Sequence, residues 1–264
     1  MSRHLVDLVN AGGMHGHEAL SVRRATTDAR GAVTLLLLPG IDGTEVLFEP
    51  LVAALPGWIT PRVVTYPASG PNRYADLLPL VERSAGDATE FFVLGWSFSG
   101  PLALMLAARQ PGRARGVILC SSFVRAPVPA MRWLRFATVA PTVGLVRLAR
   151  RAPARVFGPR SHALARAQEM TWSRVPSRVV AQRARAVLAL DAREVLRRCP
   201  SPLLYVAASR DRVVPRDNAE EVARERPGAR IATIDGDHFA LFTNAGTAAQ
   251  TIAGFIEGAP GCLA

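Results

Sequence analysis

Lysine is absent from this chain: all 32 of its permanently basic side chains are arginine. Arginine throughout, with abundant alanine and glycine, most simply reflects a GC-rich genome. Cysteine is scarce. Cys120, Cys199 and Cys262 are widely spaced, odd in number, and form no CxxC pair or Cys/His cluster. That argues against a disulfide framework and against a zinc site. Long apolar runs are missing as well: AVTLLLLPGI and FATVAPTVGLV fall short of the roughly 20 residues of a membrane-spanning helix. The opening MSRHLVDLVNAGGMHGHEAL has no core for a signal peptide. A soluble, cytoplasmic protein is expected. With 49% apolar residues, the chain can offset its ordering entropy by burial, so disorder is not expected.

The formal charge of +11 is unevenly spread. From Arg125 to Arg198 there are 16 arginines against three acids (Glu169, Asp191 and Glu194), while the rest of the chain has 16 arginines and 18 acids. The basicity therefore belongs to one part of the fold.

Residues 1–30 are weakly patterned and read as an extension, a short strand at most or disordered. Regular structure begins at Ala32. AVTLLLLPG reads as a buried strand entering a tight loop, FEPLVAAL (48–55) has helical spacing, RVVTYP reads as a strand, and YADLLPLVER (74–83) as an amphipathic helix. EFFVLGW, GVILCSS, SPLLYVAAS and ARIATID read as further strands. PLALMLAARQ, a segment near 218–226 and another near 245–257 read as helices. Strands alternating with helices predict an α/β fold, a doubly wound, mostly parallel sheet with helices on both faces. Residues 126–186 contain no convincing strand and read as a helical insertion, dividing the core into 31–125 and 187–264.

The sharpest chemical signal is Gly95-Trp96-Ser97-Phe98-Ser99-Gly100, placed between the strand FFVL and the helix PLALMLAAR. A serine projected from a strand-to-helix turn needs a strained backbone and small residues two before and two after it. Gly95 and Ser99 fill those places. The usual pattern has glycine where Ser99 stands; serine is small, and Gly100 adds room. The turn also points the free N–H groups of the following helix at the reacting oxygen.

These residues resemble the α/β-hydrolase superfamily over about 32–125 and 187–258. That family orders nucleophile, acid and histidine along the chain. The resemblance implies Ser97 as nucleophile, Asp211 (in Arg210-Asp211-Arg212-Val213-Val214-Pro215) as acid, and His238 (in Asp235-Gly236-Asp237-His238-Phe239) as base. Asp217, Asp235 and Asp237 stand nearby as rivals to Asp211. Cys120-Ser121-Ser122, at the family's alternative acid position, holds no carboxylate. The oxyanion hole is expected from the backbone N–H groups of Phe98 and, by resemblance, Ile41 in the loop Pro39-Gly40-Ile41-Asp42-Gly43-Thr44. Pro39 replaces a common histidine there. Asp42 reads as a turn former.

The resemblance implies a serine esterase working through an acyl-enzyme, with the insertion as a cap and with no metal or organic cofactor. Thioesterase, acyltransferase, cofactor-free peroxidase, amidase and a non-catalytic ligand-binding role use the same fold. Trp96 and Phe239, together with Trp133, Phe136 and Trp172 in the insertion, are candidates for lining an acyl pocket; packing of the cap on the core would explain them as well. The arginines of the insertion have three readings. They are solvated helix faces, a dock for an acidic carrier protein as in family members that cleave acyl-carrier methyl esters, or a peripheral contact with anionic membrane. Nucleic-acid binding is not expected, because no recognition motif accompanies the charge.

Overall fold

The computed structural model describes residues 32–127 and 161–259. Trp133, Phe136 and Cys262, the N-terminal extension and most of the expected insertion lie outside them.

Among the described residues, six strands form one parallel sheet: β1 (Val33–Leu38), β2 (Ile59–Val63), β3 (Phe91–Trp96), β4 (Ala114–Cys120), β5 (Leu203–Ala208) and β6 (Arg230–Ile234), in the order β2-β1-β3-β4-β5-β6. In the inner strands β1, β3, β4 and β5 the apolar residues run along both faces rather than alternating, because both faces of the sheet are covered there. The two-residue period of a strand then splits them between two cores. Leu36, Leu38, Val93, Val117, Leu119, Leu203 and Tyr205 pack on one side. Leu35, Leu37, Phe92, Leu94, Ile118, Leu204 and Val206 pack on the other.

The first core is covered by α2 (Tyr74–Ser84), α3 (Gly100–Arg109), α6 (Arg193–Arg198) and α7 (Asp217–Glu225), and the second by α1 (Glu49–Ala54), α8 (Ala240–Thr243) and α9 (Ala245–Glu257). Two more helices, α4 (His162–Arg174) and α5 (Ser177–Leu188), come between β4 and β5. Ser161 caps α4 by accepting the Leu164 amide at 3.2 Å. The chain leaves and rejoins the sheet at one place, where Ala192 N–H donates to the Val124 carbonyl at 2.6 Å and the backbones of Arg125 and Asp191 form a single antiparallel bridge.

One strand starts earlier than its sequence suggests. RVVTYP reads as beginning after Pro61, yet β2 runs from Ile59 and includes that proline. Proline lacks a ladder donor and is confined to strands with a free side. Among the described residues β2 is the outer strand, beside β1, with Pro61 opposite Leu35, so the missing N–H falls where it is tolerated. Among the described residues, no helix is long and apolar enough to cross a membrane.

Candidate active site

All the parallel strands end at the same edge of the sheet, so the loops that follow β1, β3, β5 and β6 converge there. This is where an open α/β sheet binds and transforms ligands.

Ser97 follows β3 directly. Its φ is +52°, a left-handed conformation that costs a residue with a side chain about 1–2 kcal/mol. Tight packing holds it there. A Cβ on Gly95 would lie 2.4 Å from the Ser99 carbonyl oxygen, and one on Gly100 would lie 1.9 Å from Ser122 Oγ. Ser122, just beyond β4, donates to the Ser97 carbonyl at 2.6 Å, and Tyr205 on β5 donates to the Ser122 carbonyl at 2.7 Å. Tyr74 stacks on Phe98 at 4.8 Å between centroids and donates to its carbonyl at 3.1 Å. The turn is thus braced from three elements.

Ser97 Oγ lies 3.0 Å from His238 Nε2, and His238 Nδ1 lies 2.8 Å from Asp211 Oδ2. The sequence separation of Ser97 and His238 is 141 residues. Asp211 uses its other oxygen to accept the amides of Val213 and Val214 at 2.8 and 2.9 Å, the turn for which Asp-x-Val-Val is suited. Burial, the largest single influence, pushes the Asp211 carboxyl up. His238 and the two valine amides together outweigh burial and hold it below the usual carboxylate range. The rival carboxylates are engaged elsewhere. Asp235 pairs with Arg210 and accepts Ser209 Oγ, Asp237 accepts the Phe239 amide at 2.9 Å, and Asp217 lies in the first turn of α7. The loops of Asp211 and His238 are fastened by backbone bonds from Ser209 to Ile234 and from Arg210 to Gly236.

Trp96, expected along an acyl pocket, is only 2% exposed. It packs beside His238 and donates from Nε1 to the His238 carbonyl at 3.3 Å. Phe239 is half-buried and edge-on to both Trp96 and His238. Trp172 of α4 and Ile41 of the loop after β1 both pack against Val175, Val179 and Val180.

That loop, 39–44, is tied on every side. Thr44 donates to Asp42 Oδ2 from its amide and its hydroxyl, at 2.9 and 2.7 Å. Asp42 is therefore a turn former; burial raises its pKa against the pull of those bonds and of Arg183. Ser99 Oγ donates to the Pro39 carbonyl and lies 2.6 Å from the Tyr66 hydroxyl. Arg183 of α5, fully buried, reaches the same loop from the other side, and burial pushes its pKa down to about 10.

Ser99, Ser122, Tyr66, Tyr74 and Arg183 were not singled out for these contacts in the sequence. Ser99 carried a signal as the departure from glycine in the turn. Arg183 carried one too: it interrupts the apolar stripe Val179, Val180, Val187 at helical spacing.

Among the described residues, no three His, Cys, Asp or Glu side chains gather where they could hold a metal ion. A groove of about 670 Å³ opens between α5 and the loop at 70–73 with the first turn of α2, lined by Arg73, Asp76, Arg178 and Arg185 among others.

The sequence matches the alpha/beta hydrolase family over residues 25–250. It is 26% identical over 241 residues to a pimeloyl-[acyl-carrier protein] methyl ester esterase of Neisseria meningitidis serogroup C, spanning 84% of this chain and 93% of that protein. The fold is similar to that of an enol-lactonase from Burkholderia xenovorans, with a TM-score of 0.72, 21% identity, and 90% of this chain and 96% of that one covered. It is also similar to an esterase from Exiguobacterium antarcticum, with a TM-score of 0.75, 17% identity, and 90% and 96% covered.

Proposed function

The chain belongs to the alpha/beta hydrolase family, and on that premise we propose that it cleaves carboxylic esters through an acyl-enzyme on Ser97. The observation that carries this reading is the hydrogen-bonded line from Ser97 Oγ through both nitrogens of His238 to Asp211.

A serine hydroxyl is a weak nucleophile at neutral pH and needs an adjacent base. His238 Nε2 takes the proton as Oγ bonds to the ester carbonyl carbon. Asp211 holds the ring with its Nδ1 proton inward and stabilises the imidazolium. The tetrahedral oxyanion accepts from the N–H groups of Phe98 and Ile41, each worth about 3 kcal/mol when preorganised. Collapse expels the alkoxide, which takes the proton from His238 and leaves as an alcohol. Water then repeats the sequence on the acyl-serine: His238 accepts its proton, the hydroxyl joins the carbonyl carbon, and Ser97 leaves with the proton returned. The helices between β4 and β5 form a cap in this reading.

Initial rates on p-nitrophenyl esters from acetate to palmitate test it. The wild type turns over, Ser97→Ala falls to background, and a fluorophosphonate labels only the wild type. Equal inertness of both proteins, with Ser97 resistant to the fluorophosphonate, would refute the assignment in favour of a ligand-binding role.

A second reading concerns the acyl group's carrier. The Neisseria meningitidis relative named above is a pimeloyl-[acyl-carrier protein] methyl ester esterase, and Arg73, Arg178 and Arg185 line one exposed groove. A dock for an acidic carrier protein fits both. Turnover of a carrier-bound methyl ester then weakens steeply between low and high salt, while p-nitrophenyl ester hydrolysis does not. Salt-independent turnover would leave the arginines as solvated surface.

A further inference from the structure

Arg183 is the largest fully buried side chain of the described residues, and a buried guanidinium is costly unless every donor is used. Here all five N–H donors of the group have partners. Nε and Nη2 both donate to Asn72 Oδ1, at 3.0 and 2.7 Å. Nη1 donates to the carbonyls of Ile41 and Asp42 at 2.9 and 2.7 Å, and Nη2 donates to the Pro67 carbonyl at 3.0 Å. Its Cζ lies over the Tyr66 ring, 5.4 Å from the centroid.

The surroundings are shaped for it. Gly43 has φ +73°, and a Cβ there would meet Arg183 Nη1 at 2.5 Å. Asn72, itself fully buried, turns its amide donor away to the carbonyls of Ser69 and Gly70, which presents its oxygen to the arginine. None of the four acceptors is a carboxylate. The group is spent on fixing backbone carbonyls, and two of those belong to the loop that follows β1.

We propose that Arg183 is a positioning residue that couples the seating of the α5 helix to the geometry of the oxyanion hole. The Ile41 carbonyl is held by the cap, and Pro39 is held by Ser99 of the nucleophile turn. The peptide between them, with the Ile41 N–H, is then set by both sides at once. Hydrolysis is competent only with α5 docked, so any motion of the cap that withdraws Arg183 also loosens the oxyanion donor. The inference rests on the serine-hydrolase reading above.

The test uses the full chain, with a p-nitrophenyl ester and an aryl trifluoromethyl ketone, which forms a serine-bound oxyanion. In Arg183→Gln, kcat falls about 100-fold, as a misplaced group causes. KM stays within about threefold, and the ketone's inhibition constant rises in parallel with the fall in kcat. Arg183→Lys retains the charge with fewer donors and falls between the two. Arg166→Gln on α4 behaves as wild type. A kcat within about threefold of wild type in Arg183→Gln, a change in KM alone, or a lower kcat with unchanged ketone inhibition overturns the inference. So does failure of both Arg183 variants to fold, since the residue would then hold the core together instead of aligning the loop. Ser97→Ala separates the two claims. If it stays active, the hydrolytic reading fails; if it is dead while Arg183→Gln matches wild type, only the positioning role fails.

Discussion

Glycine is the common residue where Ser99 stands, so Ser99→Gly or Ser99→Ala would be expected to be harmless if small size were all that mattered. The contacts of its hydroxyl give the opposite expectation. Ser99 Oγ has one proton, and it is directed at the Pro39 carbonyl. The Tyr66 hydroxyl, 2.6 Å away, must therefore be the donor to Ser99. Tyr66 and Ser99 are both buried. Ser99→Ala keeps the Cβ but strands a buried hydroxyl donor and a buried carbonyl. Each costs about 1–3 kcal/mol when left unsatisfied, so the substitution destabilises by about 2–6 kcal/mol. At about 2–4 °C per kcal/mol for a chain of this size, Tm drops by about 10 °C. Ser99→Gly falls at least as far, because glycine adds about 0.5–1 kcal/mol of chain entropy. Tyr66→Phe removes the stranded donor, so the Ser99→Ala/Tyr66→Phe pair is less than additive by about 1 kcal/mol. Urea and thermal unfolding followed by circular dichroism measure the wild type and all four variants. A Ser99→Ala loss below about 0.5 kcal/mol, the level of a neutral surface change, or strict additivity of the pair refutes the argument.

Gly100→Ala sets a Cβ against Ser122 Oγ and destabilises by about 1–3 kcal/mol. Adding Ser122→Gly recovers part of that loss in the same unfolding assay. Asp211→Asn leaves the backbone turn in place but presents the wrong hydrogen-bonding partner to His238 Nδ1; kcat on a p-nitrophenyl ester falls about 10⁴-fold with the fold intact by circular dichroism. The Asp211 carboxyl is held below its unfolded value, so its ionised form favours the native state. That contribution is full above about pH 3.9, the unfolded value, and is lost as pH falls through the lower folded value. The urea midpoint gap between wild type and Asp211→Asn is therefore widest near neutrality and closes on acidification.

The local grammar of the chain settled a good deal by itself. Continuous apolar runs bounded by Pro-Gly and small-residue turns named the strands, because a doubly covered parallel sheet needs both faces of each strand apolar. A serine between glycine and small residues at a strand-to-helix junction named the elbow, because only such neighbours leave room for its backbone. Pairing and long-range contact lay beyond that grammar. That β2 could absorb Pro61 depended on its being an outer strand, which nothing in ITPRV states. Of four nearby aspartates, Asp211 is the one whose carboxylate the folded loops bring to His238, a placement that no spacing in the sequence states. Trp96 reads in sequence as a residue beside the nucleophile, and only packing turned it inward beneath His238. Arg183 reads as one more arginine of a basic segment. Its role came from partners up to 142 residues away. Turns and periodicities are decided by neighbours in the chain, whereas a buried polar group is decided by whatever the tertiary fold sets within three ångströms of it, about one hydrogen bond.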